Sequence, residues 1–319
     1  MFSIIYDLWL TMRNIIVQYI EFDFTMWLTW LLIPLLITFL LPFLFLLYMY
    51  SMSLVVYIYK WHRIILRNNV YDTPWQETAV RIVLMLYDVH GWIWHGYKIV
   101  GLENIPEDKP VMFVYYHGAL PVDLYYFTSK MFLNNSKLIR IIADRFVFKI
   151  PGFFIILNTL KIIPGTVQSC SAILKQGNSI VISPGGVYEA QFGDSNYELL
   201  WQKRMGFAKV ALDAKVSIVP FFTRNIRESY RSLRWGQRIL LKIYAKTKLP
   251  IVPIYGGFPV KLVTYVGKPI PYDKTLTPEE LQIKVADSIR DLIRKHQTVP
   301  GSITRALMER IHSTEKRKD

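Results

Sequence analysis

One cysteine in 319 residues, Cys170, excludes any intrachain disulfide and fits a reducing, cytosol-facing setting. It stands in the run Gln168-Ser169-Cys170-Ser171 with no basic neighbour close by. Thiolate chemistry needs an electropositive setting, so an inert side chain is expected. Acidic residues are also scarce: 24 Asp and Glu oppose 38 Lys and Arg, for a formal charge of +14. Such an excess suits nucleic acid, an anionic membrane surface or a polyanionic small molecule. No recognised nucleic-acid module accompanies it, which leaves the last two. The chain has no Gly-x-Ser-x-Gly elbow, which counts against a serine hydrolase. A Walker loop, a dinucleotide fingerprint, an internal repeat and a low-complexity linker are missing too.

The longest absence is of charge. From Phe24 to Tyr59, 36 residues, there is no Asp, Glu, Lys or Arg. A spanning helix needs roughly 20 such residues for a hydrocarbon core about 30 Å thick. The run is long for one helix and slightly short for two, and Pro42 near its middle removes a backbone donor. The preferred reading is a hairpin of two short helices turning near Leu41-Pro42, with one long tilted span as the alternative. A cleavable signal peptide is excluded by length, late start and lack of a small-residue cleavage site. Lys60, His62, Arg63 and Arg67 follow the run, whereas Glu21 and Asp23 precede it, so the residues after Tyr59 are expected in the cytosol. Residues 1–23 are read as an interfacial segment, 24–59 as the membrane segment and 60–319 as one cytosol-facing domain. The sequon Asn134-Asn135-Ser136 would then stay unmodified.

What is present is consistent with that division. Hydrophobic residues make up 52% of the chain, enough for a membrane segment and a full-sized core. Beyond Lys60, short apolar runs alternate with helical spacing, the pattern of an α/β domain. Strands are expected at 98–100, 111–116, 139–142, 161–163, 180–183 and 218–222, and helices at 80–94, 166–176, 203–213 and 278–296. The last has a cap, a proline and two acids in order, Thr277-Pro278-Glu279-Glu280.

Two runs carry chemistry. In Tyr115-Tyr116-His117-Gly118-Ala119-Leu120-Pro121-Val122-Asp123, a histidine ends a buried strand and an acid opens a helix. A neutral imidazole takes a proton from an alcohol, and a carboxylate on its other nitrogen fixes the tautomer. The plain alternative is a core histidine and a helix cap. In Ser183-Pro184-Gly185-Gly186-Val187-Tyr188-Glu189-Ala190, glycines at a strand end expose backbone N–H groups and admit a ligand. Read alone, this run is a turn.

With Arg145-Phe146-Val147-Phe148-Lys149-Ile150-Pro151-Gly152 and Val216-Ser217-Ile218-Val219-Pro220-Phe221-Phe222, these runs form four blocks in order. The series resembles the glycerolipid (lysophospholipid) acyltransferase superfamily, and within it the diacylglycerol-acyltransferase-like branch. The resemblance covers Lys98 to Phe222, and the membrane segment in kind. It implies a mixed α/β sheet flanked by helices, preceded here by a transmembrane hairpin. It also implies an acyl-CoA donor, a glycerolipid acceptor at the bilayer, and neither metal nor cofactor beyond that co-substrate. His117 would be the base and Asp123 its orienting acid. Arg145 and Lys149 become candidates to bind acceptor or donor, or else solvated cations. Pro184, Gly185, Gly186 and Glu189 would bind the acceptor glycerol, and Pro220 would shape the acyl pocket.

Two departures matter. Five residues, Gly118 to Val122, separate His117 from Asp123 where four are usual. The third block lacks the arginine that grips phosphate with two parallel bonds elsewhere in the superfamily, which favours a neutral acceptor such as mono- or diacylglycerol. A lysophospholipid acyltransferase and a non-catalytic lipid-binding scaffold are the competing readings. Phe146–Leu157 either dips into the bilayer or packs in the core. Arg227, Arg231, Arg234, Arg238, Lys242 and Lys246 recur at three- and four-residue steps. They are expected on one helix, facing anionic lipid, coenzyme A phosphates or solvent. The Lys316-Arg317-Lys318 tail loosely resembles a retrieval signal, so an endoplasmic reticulum membrane is expected.

Overall fold

The computed structural model describes residues 6–7, 9–14, 24–66, 74–135 and 137–311. Glu21, Asp23, Arg67, Ser136, the Lys316-Arg317-Lys318 tail and most of the N-terminal segment lie outside those residues.

The apolar run forms one helix, α1 (Phe24–Leu66), which continues through both Pro34 and Pro42. The expected hairpin is therefore corrected to the long single helix. Each proline removes one N–H from the ladder and leaves one carbonyl unpaired. A turn at Pro42 would strip several backbone groups at a depth where water cannot pair them, so the helix is the cheaper solution in lipid. At about 1.5 Å per residue, its 43 residues measure roughly 65 Å. Its buried positions, Phe45, Met52 and Val56, recur at helical spacing and form one stripe against the rest of the protein. Most of the side chains from Met26 to Leu40 are exposed.

Behind α1 come α2 (Pro74–His95), β1 (Lys98–Val100), β2 (Val111–Tyr115), α3 (Val122–Asn135), β3 (Arg140–Ala143) and α4 (Phe154–Thr159). Next are β4 (Ile163–Pro164), α5 (Val167–Lys175), β5 (Ile180–Ile182), α6 (Gly186–Phe192), α7 (Gly206–Ala214) and β6 (Ser217–Arg224). The chain finishes with α8 (Ile226–Ser229), β7 (Tyr230–Ser232), α9 (Gln237–Thr247), β8 (Ile254–Gly256), β9 (Val263–Val266), α10 (Pro278–His296) and α11 (Ile303–Ile311). The expected capping box opens α10: Glu280 N–H donates to Thr277 Oγ1 (3.2 Å) and Thr277 N–H to Glu280 Oε2 (2.8 Å).

Seven strands form the main sheet in the order β1-β9-β6-β2-β5-β3-β4, and β7 pairs antiparallel with β8 in a small second sheet. Within the main sheet only the β6–β9 pairing is antiparallel. Helices α2 and α3 pack together on one face; α5, α7 and α10 pack on the other. The all-apolar β2 run reflects this double cover, since all five of its residues are buried.

The register brings the sequence blocks together. Strand β2 runs parallel to β6 on one side and β5 on the other, pairing Val114 with both Pro220 and Ile182. Strand β3 in turn runs parallel to β5. The segments after β2, β3, β5 and β6 therefore leave the sheet at one carboxyl edge, where open α/β sheets place their ligands.

Candidate active site

His117 lies two residues beyond β2, half-buried, with its ring stacked on Tyr115 at 5.8 Å between centroids. Its Nδ1 is 2.7 Å from the Gly118 carbonyl oxygen. A carbonyl only accepts, so Nδ1 carries the proton and Nε2 keeps its lone pair. Desolvation pushes the imidazole down to about 4; the Gly118 hydrogen bond opposes this and the Arg227 charge adds to it. The ring is thus neutral at pH 7, with one nitrogen ready to receive a proton.

Asp123, in the first turn of α3, is fully buried. The expected contact with His117 is not made: among the described residues neither carboxylate oxygen of Asp123 has a hydrogen-bond partner. The longer spacing leaves the Gly118 carbonyl, next in the chain, to take the Nδ1 proton. Burial raises the Asp123 carboxyl to about 7. Thr223 works against that rise, but its hydroxyl is engaged 2.8 Å from Thr264, which is itself 2.8 Å from the Tyr97 hydroxyl. This buried hydroxyl series has no short-range sequence signal, because its members come from β6, β9 and the link between α2 and β1.

The third block has a different task from the one its sequence suggests. Glu189, expected to bind the acceptor glycerol, is fully buried, in α6. Its Oε2 accepts from the His117 N–H (2.9 Å) and the Ser183 hydroxyl (3.4 Å), and its Oε1 accepts from the Leu200 N–H (3.0 Å). Burial raises its carboxyl to about 7, and these hydrogen bonds and the Arg227 charge hold it lower than burial alone would. Gly185 makes room for that side chain: a Cβ there would collide with the Glu189 carboxylate. Glu189 thus positions the His117 loop and is closed to an acceptor.

Arg227 completes the arrangement, and here the expected basic stripe fails. Arg227 belongs to the short helix α8 and is 1% exposed, Arg231 is in β7, Arg234 precedes α9, and only Arg238, Lys242 and Lys246 share the helix α9. Gly236, at φ +70°, marks the break before α9. The Arg227 guanidinium donates from Nε to the Tyr116 hydroxyl (2.9 Å), from Nη1 to the Ala190 (3.0 Å) and Gly193 (3.1 Å) carbonyls, and from Nη2 to the His117 carbonyl (2.9 Å) and that of Glu189. Its five donors are all used, so this cation is a structural hub and not a surface charge. Arg231 pairs with Glu228 at 3.3 Å and Arg234 with Asp194 at 3.4 Å.

The remaining candidates divide. Arg145 and Lys149 are exposed on the loop after β3, and no ion pair holds either one among the described residues. That loop is pinned to α1, with the Tyr50 hydroxyl donating to the Pro151 carbonyl (3.0 Å) and the Ser53 hydroxyl to that of Gly152 (2.7 Å). Most of the apolar run that follows is core, since Phe153, Ile156 and Leu157 are buried while Phe154 is 70% exposed. Pro220 is buried in the sheet on the α10 side: a Cβ at Gly267 would meet both Pro220 and Leu292 of α10. It packs there and not beside His117. A second cation besides Arg227 reaches the third block from outside it, because Arg204 Nη1 donates to the carbonyls of Pro184 (3.2 Å) and Gly185 (2.7 Å).

A family model described as Acyltransferase matches residues 96–224, the segment from β1 through β6 that builds this edge. The chain is 44% identical over 302 residues to "DGAT1/2-independent enzyme synthesizing storage lipids" of Bos taurus, covering 94% of this chain and 89% of that protein. It is 26% identical over 223 residues to the human 2-acylglycerol O-acyltransferase 3, covering 60% of this chain and 64% of the relative. In fold it is similar to the crystal structure of the 1-acyl-sn-glycerophosphate (LPA) acyltransferase PlsC from Thermotoga maritima, with a TM-score of 0.53 at 18% identity, over 82% of this chain and 95% of that one.

Proposed function

The chain belongs to the glycerolipid acyltransferase superfamily, and on that premise we propose that it moves the acyl group of an acyl-CoA onto the hydroxyl of mono- or diacylglycerol in a membrane. The observation that carries the reaction is the His117 ring, neutral by burial and with Nδ1–H committed to Gly118. Nε2 takes the proton of the acceptor hydroxyl as its oxygen attacks the thioester carbonyl. The new C–O ester bond forms, the C–S bond breaks, and the thiolate of coenzyme A recovers the proton from the imidazolium. Such a base supplies typically 10²–10⁴ in rate. Asp123, with both oxygens unpartnered, is the acid available to steady the imidazolium when substrate closes the site. No metal or further cofactor enters the scheme.

Two observations support a neutral acceptor. The Pro184-Gly185-Gly186 turn carries no cation of its own, and relatives sharing 44% of their residues are named for storage-lipid synthesis. A lysophosphatidate acceptor is the second reading, favoured by Arg204 at that same turn. Among the described residues one helix, Met26–His62, is long and apolar enough to cross a membrane, which supports the membrane setting. Orientation toward the cytosol rests on the basic residues after the apolar run, and the endoplasmic reticulum on the Lys316-Arg317-Lys318 tail. The test is an assay of purified full-length protein with labelled acyl-CoA against glycerol, lysophosphatidate, mono- and diacylglycerol. Faster turnover of the last two is expected; preference for lysophosphatidate would overturn the neutral acceptor.

A further inference from the structure

Helix α9 is an arm that leaves the fold after β7 and returns at β8. Its inner side is anchored: Tyr244 is buried against Tyr188 and Phe192 of α6, with ring centroids 5.9 and 5.5 Å away. Its outer side is unpartnered and of mixed character. Trp235, just before the helix, and Ile239 and Ile243 within it are 84%, 66% and 41% exposed and recur every four residues. Arg238 and Lys242 lie between them and Lys246 just after, all three exposed, and no acid occurs in Gln237–Thr247. Among the described residues none of these three cations has an ion pair, whereas Arg234 does.

The contacts along α1 say where this arm stands. Going from the middle of that helix toward its N-terminal end, Ser53 and Tyr50 hold Gly152 and Pro151, then Phe45 meets Tyr230 of β7. Leu41 packs at Gly257, and Phe39 reaches Tyr255 of β8 at 6.0 Å. The strands at the base of the arm are thus among the last parts of the folded domain met before the free apolar end. That end, Met26 to about Leu40, measures roughly 22 Å by helical rise, less than a hydrocarbon core of about 30 Å. To bury its apolar length, α1 must take the level of Phe39–Phe45 into the bilayer, and the base of the arm with it.

We propose that α9 is a second membrane contact, lying in the interface of the leaflet from which α1 rises. Trp235, Ile239 and Ile243 enter the acyl boundary, while Arg238, Lys242 and Lys246 meet anionic headgroups. Apolar side chains interleaved with cations, in a helix without acids, have the chemistry of an interfacial helix. Because Tyr244 rests on α6, the same contact sets the third block beside the leaflet that holds a glycerolipid acceptor. This proposal rests on the membrane setting given above, and its test separates the two.

Cys170 is the sole cysteine and is buried, so a Cys170→Ala background accepts one label at a time. An environment-sensitive fluorophore is placed at Ile239→Cys, at Ile33→Cys on the free part of α1, or at Ile283→Cys on α10. Each full-length protein is reconstituted in vesicles of phosphatidylcholine with about a third phosphatidylserine and a spin-labelled lipid as quencher. Quenching at 33 and 239 at least twofold above that at 283 is expected, and Arg238→Glu/Lys242→Glu/Lys246→Glu is expected to lower it at 239 alone. Quenching at 33 without quenching at 239, or equal quenching at 239 and 283, overturns the docking of α9 while the membrane setting stands. Failure at both 33 and 239 overturns both. A label at 239 that responds to coenzyme A and not to lipid assigns the cations to a soluble polyphosphate and also overturns the proposal.

Discussion

Glu189 and Arg227 hold the backbone of His117 from its two ends. The carboxylate takes its N–H and the guanidinium its C=O, each at 2.9 Å. The two are themselves joined where Arg227 Nη2 donates to the Glu189 carbonyl. The proposed base is therefore fixed by a buried carboxylate of the third block and a buried guanidinium from the helix after the fourth, neither of which needs to touch substrate.

Removing either end should loosen the ring without removing it. Arg227→Met removes five hydrogen bonds and leaves three acceptors, the Tyr116 hydroxyl and the His117 and Gly193 carbonyls, without a donor, at ~1–3 kcal/mol each. It is expected to lower the melting temperature sharply or prevent folding. Glu189→Gln keeps the shape but turns an amide N–H₂ toward at least one of its former donors. It is expected to reduce kcat by about tenfold or more while KM changes little, and thermal unfolding in detergent with steady-state kinetics separates these outcomes. A kcat unchanged in Glu189→Gln would show that the grip on His117 is idle.

The buried carboxyl of Asp123 opposes stability at neutral pH, and the sign can be followed. Its folded value of about 7 lies above its ordinary 3.8, so between those values the folded state binds more protons and stability falls as pH rises. His117 works the other way. Its folded value of about 4 lies below the ordinary 6.5, so its contribution is lost as pH falls from about 6.5 to 4. Asp123→Asn is accordingly expected to raise stability at pH 8, by roughly 2–4 kcal/mol at 1.36 kcal/mol per unit, while cutting activity. A variant less stable at pH 8 would contradict the buried, unpartnered carboxylate.

The same values divide the pH–rate profile. An acid limb in kcat/KM near pH 7 should come from a carboxyl and not from His117, which stays neutral down to about 4. Asp123→Asn combined with Glu189→Gln is expected to flatten the profile between pH 5 and 8, since both carboxyls lie near 7. A limb near 6.5 that persists in the double variant would mean that His117 titrates as an ordinary exposed imidazole.

The seam between α1 and the domain has one position with no room. Gly257 has φ +89°, and a Cβ there would come within 2.6 Å of Leu41 Cβ. Gly257→Ala combines that clash with a left-handed backbone and should destabilise by about 1–3 kcal/mol. Leu41→Ala in the same chain relieves only the 3.1 and 3.3 Å contacts with Leu41 Cδ1 and Cγ and keeps the clashing Cβ, so it should restore little. Full stability in the single variant would show that α1 stands off from the domain.

Much of the sheet was legible because its strands are buried on both faces and appear as uninterrupted apolar runs. The first strand, Lys98–Val100, and the helix Pro278–His296 have the boundaries that the sequence suggests. The acyltransferase blocks were legible as well, since the first three stand at the carboxyl ends of parallel strands and the fourth is most of the apolar strand β6. What misled was local periodicity. Cations at three- and four-residue steps from Arg227 to Lys246 imitate a helix face, but the chain changes from helix to strand to turn to helix across them. Arg227 is buried through partners in two distant segments, 116–117 and 189–193, which spacing cannot reveal. Pro42 suggested a turn because the count of apolar residues ignored the backbone groups a turn would strand in lipid. Tertiary register also decided Asp123: one extra residue in the loop left its carboxylate unpaired, and no sequence pattern specifies which carbonyl takes the His117 proton.

The account stands on His117 as the base, and its most direct test is single-turnover acyl transfer by purified full-length protein in vesicles. Labelled acyl-CoA and diacylglycerol are the substrates, and wild type is compared with His117→Ala and His117→Gln at pH 8. Both variants should bind acyl-CoA normally and lose between about 10² and 10⁴ in the rate of ester formation. A His117→Ala protein that keeps its rate within a factor of three would contradict the mechanism.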